Sequence, residues 1–417
     1  MTTATSSNVD SGASQDADVS TKTNSGLRSF FNVRLLSCTI IWVFIWLCVV
    51  DLTLKTTKPL HAVKMGGYTP RDRNGMAIKN ERLALPWTNP DVLTIGSSLS
   101  QASFSCADAL VANRPAPTLG HEVYSYGRCD YLQSKLSEIS GKKHSLLDMS
   151  IGGCMASDAY YLLTNTVKTR PQIKTVIFAV APRDFVATDA SKDPEKSPVG
   201  AFLKKKSLDI WSDQKTSAQE KFEAGLASVW HFFDIKADYQ HLSQLLTCQI
   251  LKRNPDLYTA TNIDPELLGA ENRVEFMSVP ISAGEVLPND LKNKEAAIYR
   301  GFYNPFSVER MNLQFGFLEK SLEFCRQNNI AAVVIDMPLS KLNRAQMDPQ
   351  MQGLYLPKLA ETCSKYGVHL VELEENTNFV DNDFRDSCHM VGTGGKKLID
   401  IVASSIAKDD ALVKRLK

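Results

Sequence analysis

Two short patterns at opposite ends of the 417-residue chain carry the residue types of a single reaction. The first is a strand-like run, Asp91 to Ile95, that breaks at Gly96-Ser97-Ser98. The second reads Phe384-Arg385-Asp386-Ser387-Cys388-His389-Met390, with Gly392, Gly394 and Gly395 following. A serine hydroxyl is a poor nucleophile until an imidazole removes its proton, and that imidazole needs a carboxylate to fix its tautomer and orientation. Ser98, His389 and Asp386 would supply the three parts. A plainer reading stands beside this one, because serines at such turns commonly cap the following helix. Ser97 is a rival for either role.

Other candidates read as structural. Asp238 and His241 repeat the Asp-x-x-His spacing, but in a helical, polar stretch where residues three apart are surface neighbours. His61, His121, His144, His231 and His369 have no aspartate three residues before them and read as structural or exposed. Nine cysteines show no CxxC pair and no Cys/His ligand spacing, which argues against zinc, and no cofactor is implied. Cys38 and Cys48 fall in an apolar N-terminal run; the other seven, an odd number, cannot all pair within one chain.

The reactive residues need a scaffold, and the chain supplies an alternating one. Apolar runs at 92–95, 145–149, 175–180, 331–335 and 368–371 lack strict alternation, as strands buried on both faces do. Helical patterns separate them: Tyr131 to Ser140, Ser157 to Thr169, a face of Met311, Phe315, Leu318, Leu322 and Cys325, and Gly394 to Ala407. The alternation predicts an α/β domain with a parallel sheet between helix layers. Ligands then bind beyond the carboxyl ends of the strands, where Ser98, Gly153 and Asp184 fall. Residues from about 186 to 300 depart from the rhythm; they are polar and largely helical, with Lys204 to Lys206 and Trp230, Phe232 and Phe233, and predict a helical insertion. The segment Ile335 to Lys341 reads as a strand-terminating turn, or as cleft lining with Lys341 or Asn343 facing substrate.

Residues 1–33 carry few large apolar side chains, too few to offset ordering entropy, and predict a disordered tail. A transmembrane helix is expected at 34–54, where Leu35 to Leu54 contains Asp51 as its only charge, enough helix to cross roughly 30 Å of hydrocarbon. A stalk at 55–88 and a catalytic domain at 89–417 complete the organisation. Lysines and arginines flank the apolar run on both sides, so charge does not orient it. With 47 basic and 46 acidic residues, nothing in the charge balance favours nucleic acid as a partner.

Taken in order, Gly96-x-Ser98, Ser150-Ile151-Gly152-Gly153, Ala181-Pro182-Arg183-Asp184 and Asp386-x-x-His389 resemble the four blocks of the SGNH (GDSL-type) hydrolase superfamily. The resemblance covers about residues 90–407 apart from the insertion. It implies a three-layer α/β/α sandwich, Ser98 as nucleophile and first oxyanion donor, and Gly153 as second backbone donor. Asp386 and His389 would complete the triad. The family has Asp before its nucleophile where this chain has Ser97, and Asn in the third block where it has Arg183. Arg183 could stabilise an oxyanion, or pair with Asp184 as structure. Tethered to a membrane, such a domain is similar to bacterial envelope proteins of teichoic-acid D-alanine transfer and alginate O-acetylation. That implies an extracytoplasmic catalytic domain, an acyltransferase or esterase acting on envelope polysaccharide, and a multi-pass membrane O-acyltransferase as partner. The alternative is a catalytically inactive scaffold or glycan-binding protein of the same fold.

Overall fold

A computed structural model describes residues 25–57, 89–116, 126–186, 217–234, 284–373 and 378–417, with 194, 197, 199–200 and 243 between them. The chain divides into two units, Met1–Thr56 and Thr57–Lys417. In the first, helix α1 (Ser25–Thr57) begins nine residues before the expected anchor, within what composition reads as a disordered tail. Once an apolar core nucleates a helix, adding flanking residues costs little. Its segment Cys38–Thr57 is long and apolar enough to cross a membrane, with a mean hydropathy of 1.9. The expected stalk beyond residue 57, the pair Asp238 and His241, and Lys204 to Lys206 lie outside the described residues.

The second unit is α/β. Its strands β1 (Val92–Gly96), β2 (Leu146–Asp148), β3 (Thr175–Val180), β4 (Ala331–Asp336) and β5 (His369–Glu372) form one parallel sheet in the order β2-β1-β3-β4-β5. Strands β1 to β4 are buried at every position, as their unalternating apolar runs require. Only β5, at the sheet edge, mixes buried and exposed positions. The order reverses at β1, from which the chain goes first to β2 and then to β3. Such a switch point opens a crevice at the strand ends, beside Ser98.

Helices α2 (Ser98–Val111), α3 (Asp130–Ser140) and α4 (Ala156–Thr169) follow the early strands. Beyond helix α5 (Ala218–Val229) come α6 (Asn289–Tyr303), α7 (Val308–Gln327), α8 (Pro349–Tyr366), α9 (Gly392–Ala407) and α10 (Asp410–Leu416). Two packed groups result: α2, α3, α9 and α10 form one, and α4, α7 and α8 the other. Although α6 lies mostly within the span read as an insertion, it belongs to the core, with Ala296 and Tyr303 nearly fully buried.

The contact between α2 and α9 sets the distance between the two reactive patterns, and glycine permits it. A Cβ on Gly395 would collide with the Ser103 carbonyl oxygen, backbone that no rotamer change can move. Gly395→Ala should therefore cost about 1–3 kcal/mol, the range for overpacking a tight interface. A lowered denaturant midpoint with an unchanged slope would show it.

Candidate active site

The turn that carries Ser98 is built by β1 ending against its neighbours. Gly96 is needed there, since a Cβ would meet the Ala179 carbonyl oxygen at 2.7 Å and collide with Ser100 Oγ. Ser97 is the N-cap of α2, with extended backbone and no side-chain capping bond, and its Oγ is buried without a hydrogen-bond partner. Ser98 is the first helical residue, so its amide is among the first-turn N–H groups that an α-helix leaves unpaired. Ser97 holds the N-cap position without a capping bond, and Ser98 Oγ turns to His389 Nε2. Beneath the turn, Thr94 Oγ1 and Ser150 Oγ donate to Asp148 Oδ1 at 2.8 and 2.6 Å. Ser100 Oγ lies 2.9 Å from Ser150 Oγ and 3.0 Å from the Ser97 carbonyl oxygen. This buried polar chain ties the turn to the strand beside it.

The second pattern sits in a closed loop. Phe384 and Met390 form an antiparallel bridge, and the Arg385 amide donates to the His389 carbonyl at 2.8 Å. Asp386 Oδ1 accepts from the amides of His389 and Cys388 at 2.7 and 3.0 Å. His389 Nδ1 lies 2.9 Å from Asp386 Oδ2, and its Nε2 lies 2.9 Å from Ser98 Oγ. With Nδ1 protonated towards Asp386, Nε2 keeps its lone pair for the serine proton. Asp386 is 2% exposed, whereas His389 and Ser98 are partly exposed, so the reacting end faces solvent and the orienting end does not.

Electrostatics reinforce the arrangement. Burial works to raise the Asp386 pKa, but the His389 charge and three N–H donors outweigh it and hold the carboxyl below its ordinary range. Burial likewise disfavours the imidazolium, yet Asp386 outweighs it and raises the His389 pKa above an ordinary imidazole.

Gly153 sits in the turn after β2 at φ 79°, a left-handed conformation that glycine adopts without steric cost. Two residues earlier, the Ile151 amide donates to the Gly96 carbonyl at 2.9 Å, which fixes this turn beside Ser98. Arg183 Nη2 pairs with Asp184 Oδ1 at 2.8 Å and reaches the Cys154 carbonyl at 3.4 Å. Burial opposes its charge, but Asp184 outweighs that and raises the guanidinium pKa. Its Nε is buried without a partner. Of the two readings left open for Arg183, the resting geometry is the ion pair.

Three groups were not legible as site residues. On one face of α6, Lys292 Nζ donates to the carbonyls of Asp381 and Phe384, both at 3.1 Å. Glu295 Oε2 accepts from the Ser387 amide at 3.0 Å, and Tyr299 Oη lies 2.8 Å from Cys388 Sγ. From the turn after β4, Asn343 Nδ2 donates to Ser387 Oγ at 3.0 Å, while its Oδ1 accepts from Tyr303 at 2.7 Å. Asn343 is fully buried, so it holds the loop instead of facing substrate as cleft lining would.

Ligand atoms of Glu295, Asp386, Cys388 and His389 lie within 4.8 Å of one another, a set that could hold a metal ion. Sequence spacing hid it because Glu295 comes from a distant helix. All four already hydrogen-bond within the protein. Beyond these, His144 bridges Asp91 and Ser140, and His369 bridges Asp409 and Ser405, both structural as expected. No disulfide forms among the eight described cysteines.

A sequence-family profile described as "Protein of unknown function (DUF1574)" matches residues 230–404. It takes in Glu295, Asp386 and His389 and begins after Ser98, Gly153 and Arg183. No curated protein matches the chain.

Proposed function

We propose that the chain is a membrane-anchored serine acyltransferase or esterase with an SGNH-type three-layer sandwich, acting on acyl groups of an envelope polysaccharide. The observation that carries this reading is the relay from Ser98 Oγ to His389 Nε2, at 2.9 Å, and from His389 Nδ1 to Asp386, at 2.9 Å. Relays of this length and order are what nucleophile activation requires. Ser98 Oγ attacks the acyl carbonyl carbon while its proton passes to Nε2. The tetrahedral oxyanion is met by the Ser98 amide at a helix N-terminus, where partial positive charge favours it, and by the Gly153 amide. Collapse breaks the bond to the donor oxygen, which takes the proton from Nε2 and leaves an ester on Ser98. A sugar hydroxyl or water, deprotonated by His389, then removes the acyl group and restores the hydroxyl.

A second reading, an inactive scaffold of the same fold, draws support from the engagement of Arg183 with Asp184, which withholds a third oxyanion donor. Fluorophosphonate labelling of the full chain separates the two. Stoichiometric labelling that Ser98→Ala abolishes and Ser97→Ala retains is the expected result; absence of labelling in the wild-type chain leaves the scaffold. Turnover of a model acetyl ester, with and without an oligosaccharide acceptor, then distinguishes transfer from hydrolysis.

A further inference from the structure

The triad accounts for one carboxylate, but a second stands against it. Glu295 is 4% exposed, in the middle of α6, and its carboxyl lies within 4.8 Å of ligand atoms on Asp386, Cys388 and His389. We propose that Glu295 is a positioning residue of the catalytic centre, holding the Asp386–His389 loop in register on α6 through the Ser387 amide. This inference rests on the serine-acyl reading above.

Two independent features of the geometry point there. Lys292, Glu295 and Tyr299 follow one another at helical spacing along α6, and each grips a successive part of the loop: the carbonyls of Asp381 and Phe384, the Ser387 amide, and the Cys388 thiol. The Leu287 amide, just before the helix, adds a bond to the Arg385 carbonyl at 2.7 Å. The loop is therefore moulded on α6. The other feature is charge. The groups facing Glu295 are Tyr299 on its own helix and Arg385, Asp386, Cys388 and His389 on the loop, with the Arg183 charge reaching Tyr299. Arg385 Nη1 lies 3.3 Å from Asp386 Oδ2, and its charge reaches Glu295 as well. Among the described residues no cation pairs with Glu295 directly.

Protonation of Glu295 resolves this. Burial first, and the neighbouring Asp386 charge second, push its carboxyl up to about 8. At neutral pH it is a neutral acid that still accepts the Ser387 N–H bond. Above its pKa it becomes a second anion that repels Asp386 and loosens the loop holding His389. The wild-type reaction should therefore lose rate as pH rises through about 8, a loss opposite in sign to the gain that deprotonation of His389 gives.

Glu295→Gln is the informative variant, because the amide is the isostere of the protonated acid and keeps the acceptor for Ser387. The rate of fluorophosphonate labelling of the full chain, measured from pH 6 to 10, reads the activation of Ser98 directly. The expected result is a wild-type rate that falls above about pH 8 and a Glu295→Gln rate that stays level there. Glu295→Ala, which loses the Ser387 bond, should label about tenfold more slowly at pH 7 and hydrolyse a model ester with reduced kcat and unchanged KM, as loss of orientation gives. Labelling of Glu295→Ala at the wild-type rate, or a loss in Glu295→Gln as large as in Glu295→Ala, overturns the inference while leaving the triad intact. No labelling of the wild-type chain at any pH overturns the acyl-enzyme reading and this inference with it.

Discussion

Asp386→Asn should lower kcat for acyl turnover about 10⁴-fold, with KM nearly unchanged. The magnitude is that of triads in which an asparagine replaces the aspartate, and the reason lies in the tautomer. Asp386 now accepts from His389 Nδ1 at 2.9 Å, which leaves Nε2 as the acceptor for Ser98. An asparagine amide can offer Nδ1 a hydrogen instead, which places the ring proton on Nε2 and removes the base from the serine. Single-turnover acylation of Ser98 would check it, since only the step that needs the proton transfer should slow. A variant that acylates at the wild-type rate would remove His389 from the reaction.

The same substitution has a stability signature with a fixed sign. Asp386 is held below its ordinary pKa in the folded state, so its ionised form stabilises the fold above the unfolded-state pKa near 4 and loses that contribution as pH falls below it. The wild-type chain should thus be the more stable one at pH 7, and the gap to Asp386→Asn should narrow in acid. Denaturant midpoints at pH 7 and at pH 3 measure this.

The parts of this site legible in the sequence are those whose information is local. Strand β3 is bounded as its apolar run is, Thr175–Val180, and β1 differs by only one residue from the run 92–95, because burial on both faces demands unbroken apolar residues. Ser98 and the Asp386–His389 spacing were visible because a strand end and a tight loop each fit within a few residues. Strand order was not visible, since parallel strands pair through crossovers whose lengths do not specify neighbours. Glu295 was hidden for the same reason. Its role arises where a helix face meets a loop some ninety residues onward, and its helix falls in a polar stretch that departs from the strand-helix rhythm. Asn343 was visible as a residue, but its partners Tyr303 and Ser387 were not, so the direction of its side chain could not be read.

Arg183→Ala should destabilise the fold by about 3–5 kcal/mol, the cost of removing one partner from a buried ion pair. Asp184 is 3% exposed and takes Arg183 Nη2 at 2.8 Å and the Ala181 amide at 3.0 Å. Without the guanidinium its carboxylate keeps one N–H donor and no positive charge, in surroundings that disfavour ionisation. The double variant Arg183→Ala, Asp184→Asn should recover part of the loss, because it removes the stranded charge as well. An oxyanion role predicts the opposite split: about 10²–10³ lost in kcat with stability preserved. Denaturant unfolding of the single and double variants, with labelling rates per folded molecule, separates the two. If the ion-pair account holds, the proposed reaction leaves its oxyanion to backbone amides and the N-terminus of α2, and the third block of the sequence serves to brace the turn after β3 through Asp184.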